Sequence, residues 1–328
     1  MLAADPAAWR TRWFMAAEAR VTRRDEVVPA AVATRAGETE IRAYQAANRV
    51  GEGPVWHPAQ ECLYWIDVRG RQLLRLHPPS GALIRWDLPE VVGAFALCTD
   101  DSACLAFPHR LVRLDMTSGV LSDIARVEDD RPANRLNDGK VSPSGRWFAF
   151  GSMDDRPDKD ATGALYCLGL DGRVRKLWDG LVVCNGIAWS PDATKLYFSD
   201  SFAGTVFVAP WDEVSAVMGE PRVLVRLDER AGRPDGAAVD ESGNYWSAGV
   251  SAACINVIGA GGSLVRKIAL PCRAPTMPAF AGANRRTLFV TSLVRPQWET
   301  PGRWDGAVLG MSVDTAGIIP PLFRYLAM

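Results

Sequence analysis

At four places along this 328-residue chain an acidic or amide side chain stands just before a glycine and a short apolar run. They are Glu52 before Gly53-Pro54-Val55-Trp56, Asn137 with Asp138 before Gly139-Lys140-Val141, Asn185 before Gly186-Ile187-Ala188-Trp189, and Asp235 before Gly236-Ala237-Ala238-Val239. Carboxylates and amides offer oxygen donors. Gathered in a buried place, unpaired carboxylates repel one another at a cost on the order of several kcal/mol unless something positive sits among them. A hard divalent cation answers that need. Ca²⁺, Mg²⁺ and Mn²⁺ suit such donors best, and Zn²⁺ and Fe²⁺ are compatible. A small ligand set leaves coordination positions for water and substrate, as catalytic metal sites do.

Other chemistries find little support. The three histidines, His57, His77 and His109, each adjoin a proline and read as turn residues. There is no GxSxG, no HExxH, no GxGxxG and no phosphate loop. The seven cysteines are scattered and never form CxxC, which suits reduced, buried thiols in a cytoplasmic protein. Lys+Arg 37 against Asp+Glu 38 gives a net charge of −1, so nucleic acid and anionic membranes are not expected partners. No apolar run reaches the ~18 residues of a membrane helix.

For the four places to meet, the fold must bring distant segments together. Two further positions share the pattern without a polar residue, Val92-Gly93-Ala94-Phe95 and Met277-Pro278-Ala279-Phe280. From Gly53 through Gly93, Gly139, Gly186 and Gly236 to Pro278 the steps are 40, 46, 47, 50 and 42 residues. Four-stranded propeller blades produce a period of about 40 to 50 residues. The spacing predicts an all-β, six-bladed β-propeller with a central metal site, the first strand after each glycine being innermost. Strand candidates such as Cys62 to Val68, Ala164 to Leu170, Leu196 to Asp200 and Tyr245 to Val250 alternate with turn sequences such as Pro79-Ser80-Gly81 and Asp171-Gly172. A strand from about Ile41 to Arg49 is expected to close the ring on Ala307 to Val313, which removes an open sheet edge. Trp211 to Met218 reads as a short helical turn. Residues 1–40 read as a separate N-terminal extension, either floppy or holding a short helix near Trp9 to Met15, and 41–328 as the propeller.

Arg135 lies two residues before Asn137, so in an extended chain both point to one face. Its guanidinium could bind a carbonyl or hydroxyl oxygen of a substrate. The charged loop Met153 to Gly163 reads as a solvated linker between strands; its position above the site also suits a substrate lid, with Asp154 or Asp155 touching polar ligands. Trp56 and Trp189 read as blade core. Taken singly, each Asn-Gly or Asp-Gly is an ordinary turn dipeptide; the recurrence carries the reading.

The stretches Gly51-Glu52-Gly53-Pro54-Val55-Trp56, Leu63-Tyr64-Trp65-Ile66-Asp67, Arg135-Leu136-Asn137-Asp138-Gly139-Lys140, Asn185 to Asp192 and Pro234-Asp235-Gly236 resemble the gluconolactonase, senescence marker protein and luciferin-regenerating enzyme family. The resemblance runs from about Gly51 to Ser292. It implies one divalent metal in the channel and hydrolysis of sugar lactones to aldonic acids, with a small-molecule sugar lactone as the partner. It further implies Glu52, Asn185 and Asp235 as metal ligands, Asp235 as general base, and Arg135 and Asn137 at the substrate; Asp155 joins them as a substrate contact from the position of its loop alone. Ser142 stands where the family usually has Asp. A non-catalytic, metal-binding regulatory propeller and a lactonase or esterase for non-sugar substrates are the alternatives. The sequence leaves the oligomeric state open.

Overall fold

The structure, a computed structural model, describes residues 20–28, 32–36 and 39–325. Six antiparallel sheets follow one another along the chain, and each begins with its innermost strand. The inner strands are Gly51–His57, Ala94–Leu97, Asn134–Val141, Cys184–Trp189, Pro234–Val239 and Pro275–Ala281. Each touches its two neighbours, so the six form a closed ring around a channel. Between the sheets lie apolar layers; one packs Trp246, Phe280 and Leu309, another Phe148, Phe150 and Phe323. Trp56 stacks on Phe289 and Trp189 packs edge-on against Trp211, so both are core as expected.

The ring closes as a mixed blade: Thr39–Tyr44 pairs with Val308–Ser312, Ile41 opposite Met311. The closing strand ends earlier than the expected Arg49 because Asn48 turns the chain inward. Its Nδ2 donates to the Gly306 carbonyl and its Oδ1 accepts from Trp65 Nε1, both at 2.9 Å. The N-terminal extension is not merely an appendage. Thr22–Val27 pairs with Ala82–Asp87 as an outer strand of the first blade, and Val32–Ala36 pairs with Thr39–Tyr44 on the last. The short helix suggested near Trp9 to Met15 lies outside the described residues. The helical turn read at Trp211 to Met218 is instead a hairpin, Trp211 opposite Met218. Pro and Gly at its ends do not stop strand pairing because the hairpin sits at the blade's edge.

The last described residues form a strap. Ile318 donates its N–H to Val239, Phe323 exchanges hydrogen bonds with Leu97 and Thr99, and Arg324 donates to Gly145. The strap thus ties the fifth blade to the second and third. It also covers the apolar end of the channel, where Ile318, Pro320 and Pro321 lie against Pro54, Ala238 and Phe280. Phe323 is fully buried. Phe323→Ala should lower stability by about 3–5 kcal/mol, read as a shift in the denaturant midpoint, because it opens a cavity between two blades.

Candidate functional site

The side chains that could do chemistry are aimed by defects in the inner strands. Register breaks at Glu52/Val55, Asn137/Gly139, Asn185/Ala188, Pro234/Ala237 and Pro275/Met277, whereas Ala94–Leu97 pairs regularly. A bulge bends its strand and re-aims the side chain beside it. Glu52, Asn137 and Asn185 each stand at the last paired position before a break, and Asp235 stands within one. In the last blade the break falls at Thr276, so its counterpart of the polar positions is Thr276 rather than Met277. Gly186 shows why glycine recurs there: its φ is +64° and a Cβ would collide with the Tyr245 hydroxyl and Ser199 Oγ.

The strand entries are fixed by acids at the ends of the second strands. Asp67 accepts from the Arg49 and Val50 N–H groups, both at 2.9 Å, just before Glu52. Asp200 accepts from Val182 at 2.8 Å and Val183 at 3.2 Å, just before Asn185. The parallel runs Leu63-Tyr64-Trp65-Ile66-Asp67 and Leu196-Tyr197-Phe198-Ser199-Asp200 carry this signal in the sequence. Sequence reasoning did not use it.

The result is one cavity of about 250 Å³ lined by Glu52, Arg135, Asn137, Asn185 and Asp235. A polar chain crosses it. Arg135 Nη1 donates to Asn137 Oδ1 at 2.7 Å, Asn137 Nδ2 to Asn185 Oδ1 at 3.1 Å, and Asn185 Nδ2 to Asp235 Oδ1 at 2.5 Å. Asn185 Nδ2 also meets Ser201 Oγ at 2.9 Å. Asp155 is brought to Arg135 and not to the cavity wall. It accepts from Arg135 Nε at 3.0 Å and from Arg69 at 2.6 Å, and so holds the guanidinium in place. Asp154 folds the loop that follows it, accepting from Arg156 and from the Asp160 N–H. Lys159, Arg233 and Arg295 also line the cavity. They sit in loops with no period, where sequence reasoning had no handle. No histidine lines it, and Ser142 lies away from it, bonded to Glu213 at 2.6 Å.

Burial and neighbouring acids outweigh the arginines at the two carboxylates of the wall. Burial first, then Asp235 and Asp138, push Glu52 well above the usual carboxyl range, with Arg135 offsetting only part. Glu52 keeps some exposure along the channel, yet protein surrounds it closely enough for desolvation to dominate. Burial and then Asp138 push Asp235 up to about 7, against Arg295, Arg233 and Arg135. Among the described residues no cluster of three His, Cys, Asp or Glu side chains is spaced to hold a metal ion. The donors here are two carboxylates supplemented by amides, an all-oxygen set that fits a hard divalent cation. Asn185 presents its nitrogen to Asp235, so its amide must turn to offer oxygen.

Asp138 lies behind the wall. Its φ is +36°, uncommon for a residue with a side chain. It accepts from Gly139 at 2.7 Å and, across the blade boundary, from the Ile187 N–H at 3.0 Å. It thereby pins the bulge that carries Asn185. Beside it, buried Lys140 donates to the Ala237 carbonyl; burial brings this amine down to about 8, opposed by Asp138.

Comparison with known proteins gives the family. Residues 50–294 match the model described as "SMP-30/Gluconolactonase/LRE-like region". The chain belongs to this family. A 6-deoxy-6-sulfogluconolactonase of Pseudomonas putida is 34% identical over 281 residues, 84% of this chain and 94% of the relative. An L-arabinolactonase of Azospirillum brasilense is 34% identical, covering 81% of this chain and 86% of the relative. A solved structure of a calcium-binding protein, regucalcin, from Agrobacterium tumefaciens superposes with a TM-score of 0.80 at 29% identity, covering 85% and 95% of the two chains. Among the described residues no helix is long and apolar enough to cross a membrane.

Two outcomes follow from this geometry. Asp138→Ala leaves Lys140 buried without its carboxylate and should cost about 3–5 kcal/mol in chemical denaturation. Asp235 holds its proton in the folded chain at pH values where an ordinary carboxyl, near 3.8, has lost it. The unfolded chain then binds fewer protons, so chelator-treated protein should lose stability as pH rises from about 4 to about 7. Thermal midpoints at pH 5 and pH 8 in EDTA check this, and a divalent ion should restore more at pH 8.

Proposed function

We propose that this protein hydrolyses a sugar lactone to its open aldonic acid with the help of one divalent metal ion. The observation that carries the reading is Glu52, Asn185 and Asp235 from three separate blades lining a single cavity with Arg135 and Asn137. The sugar lactonases among its relatives support the same class of substrate. Glu52, Asn185 and Asp235 would hold the ion, Ca²⁺ being one candidate by the all-oxygen donors. When bound, it supplies Lewis-acid polarisation of the lactone carbonyl and makes water more acidic.

The chain's own groups do the rest. Asp235 takes a proton from water as the water oxygen attacks the carbonyl carbon. The ring C–O bond then breaks, and Asp235 returns the proton to the departing ring oxygen. A base whose proton affinity lies near working pH serves both steps, and such catalysis is typically worth about 10² to 10⁴ in rate. Arg135, fixed by Asp155 and Asn137, donates to substrate oxygens and stabilises the charge that develops on the carbonyl oxygen. Asn137 orients substrate or water through its amide. Met153 and Phe202 add apolar surface to the wall, which limits stray water.

The test couples metal content to turnover. Glu52→Ala and Asp235→Ala should each lose bound metal by elemental analysis, and Asp235→Ala should lose at least about 10²-fold in kcat/KM in a pH-indicator assay over a lactone panel. Full turnover by metal-stripped protein, or none by metal-loaded protein on any lactone, overturns the proposal. The second result would favour a binding protein.

A further inference from the structure

The cavity wall carries more positive charge than a neutral sugar requires. Arg135, Lys159, Arg233 and Arg295 all line it. Two of them are already used. Arg135 is bound to Asp155, Asn137 and the Leu136 carbonyl, and Arg233 pairs with Glu229 at 2.9 Å. The other two differ. Lys159, on the loop that follows Asp154, donates only to the backbone carbonyls of Asp154 and Arg156. Arg295, just past the strand Thr287–Ser292 of the last blade, makes no side-chain hydrogen bond or ion pair among the described residues; its field reaches Asp235. The third and sixth blades stand opposite in a ring of six, so these two cations approach the mouth from opposite sides.

Charge balance narrows what they are for. The two carboxylates on the wall, Glu52 and Asp235, are answered by a divalent cation on the reading above. Asp155 and Glu229 answer Arg135 and Arg233. Among the described residues Lys159 and Arg295 make no ion pair, although Asp155 and Asp154 act on Lys159 from a distance and Arg295 acts on Asp235; two unpaired cations at the rim of a partly desolvated cavity favour a ligand bringing negative charge.

We propose that the lactone carries an anionic substituent off its ring (a sulfonate, phosphate or carboxylate) and that Lys159 and Arg295 bind it. The inference rests on the lactonase reading but goes beyond it, because the anion is recognised away from the reacting carbonyl. Binding energy gathered at that remote group orients the ring on Asp235 and Arg135. Lys159 already lines the cavity and can exchange its bonds to the Asp154 and Arg156 carbonyls for bonds to the anion.

The experiment compares matched six-carbon lactones on the metal-loaded protein: gluconolactone, and its analogues bearing phosphate, sulfonate or carboxylate at carbon 6. At least one charged lactone should be turned over with a kcat/KM at least about 10-fold above the neutral one, a ratio worth roughly one charge-assisted hydrogen bond. The rank order among the three identifies the anion. Arg295→Gln and Lys159→Gln should each cut kcat/KM for the charged lactone by about 10- to 100-fold, mostly through KM. Their effect on the neutral lactone should be several-fold smaller, and Arg295→Lys should recover much of the loss. Added salt should weaken turnover of the charged lactone selectively. Brisk turnover of neutral lactones with no preference for any anion, or variants that depress charged and neutral lactones equally, overturns this inference and leaves the lactonase reading standing. Failure on every lactone overturns both.

Discussion

Buried negative charge is the constraint around which this propeller is arranged. Glu52, Asp138 and Asp235 sit near one another at the axis, and burial raises the proton affinity of each more than any neighbour does. Desolvation of this kind is tolerated in two ways. Asp138 is given backbone N–H donors and Lys140, so its charge is satisfied by the protein itself. Glu52 and Asp235 have an N–H donor each, from Gly53 and Asn185, but only more distant arginines for positive charge, and they face a cavity. The first is a structural solution; the second leaves electrostatic need unmet, and an unmet need inside a cleft is where a ligand binds.

Holding three such acids so close demands a rigid frame, and the propeller supplies it at modest length. A ring of inner strands places residues from separate blades within hydrogen-bond reach, although 50 positions separate Asn185 from Asp235 in the chain. The bulges convert a regular ladder, whose side chains alternate in and out, into one whose polar side chain points along the channel. Asp67 and Asp200 then fix where each bulged strand starts, and Asp138 fixes one bulge against the next. The frame is therefore built from the same residue types as the site, with backbone donors as partners in place of a ligand.

The sequence revealed the ring because five of the six inner strands are bulged and four of those bulges carry a glycine, while Gly93 marks the same position in the unbulged second blade. Glu52, Asn137, Asn185 and Asp235 were legible for the same reason, each being tied to a bulge. Where the bulge lacks a glycine the reading slipped: the last blade's break is at Thr276, whereas Pro278 is an ordinary ladder residue opposite Val290. The outer strand Thr22–Val27 was illegible because all six of its residues are exposed, so no apolar alternation marks it. Pairing of its backbone with Ala82–Asp87, helped by Arg24 on Asp87 at 2.8 Å, decides its structure. Asp155 was read as a substrate contact from its position above the site, but two arginines compete for it. Lys159 and Arg295 could not be found from spacing, since loop residues answer to no period.

The position of Asp138 bears on how Asp235 could serve as both ligand and base. A carboxylate beside a divalent cation is held in its ionised form, and strong stabilisation of that form makes it a poor proton acceptor. A fixed negative charge behind the wall works in the opposite direction. Asp138 leads the neighbouring charges that raise Asp235, and its own charge is secured by the Gly139 and Ile187 N–H groups and by Lys140 rather than by anything that enters the cavity. Its influence on Asp235 therefore persists whatever the cavity holds. On the proposed reading, the proton affinity of Asp235 would be set by a contest between a cation in front and an anion behind. Removing only the charge, as in Asp138→Asn, should lower the pH at which Asp235 gains its proton. The acidic limb of the kcat/KM profile should move to lower pH. An unmoved limb in a folded variant would show that the ion alone sets the base.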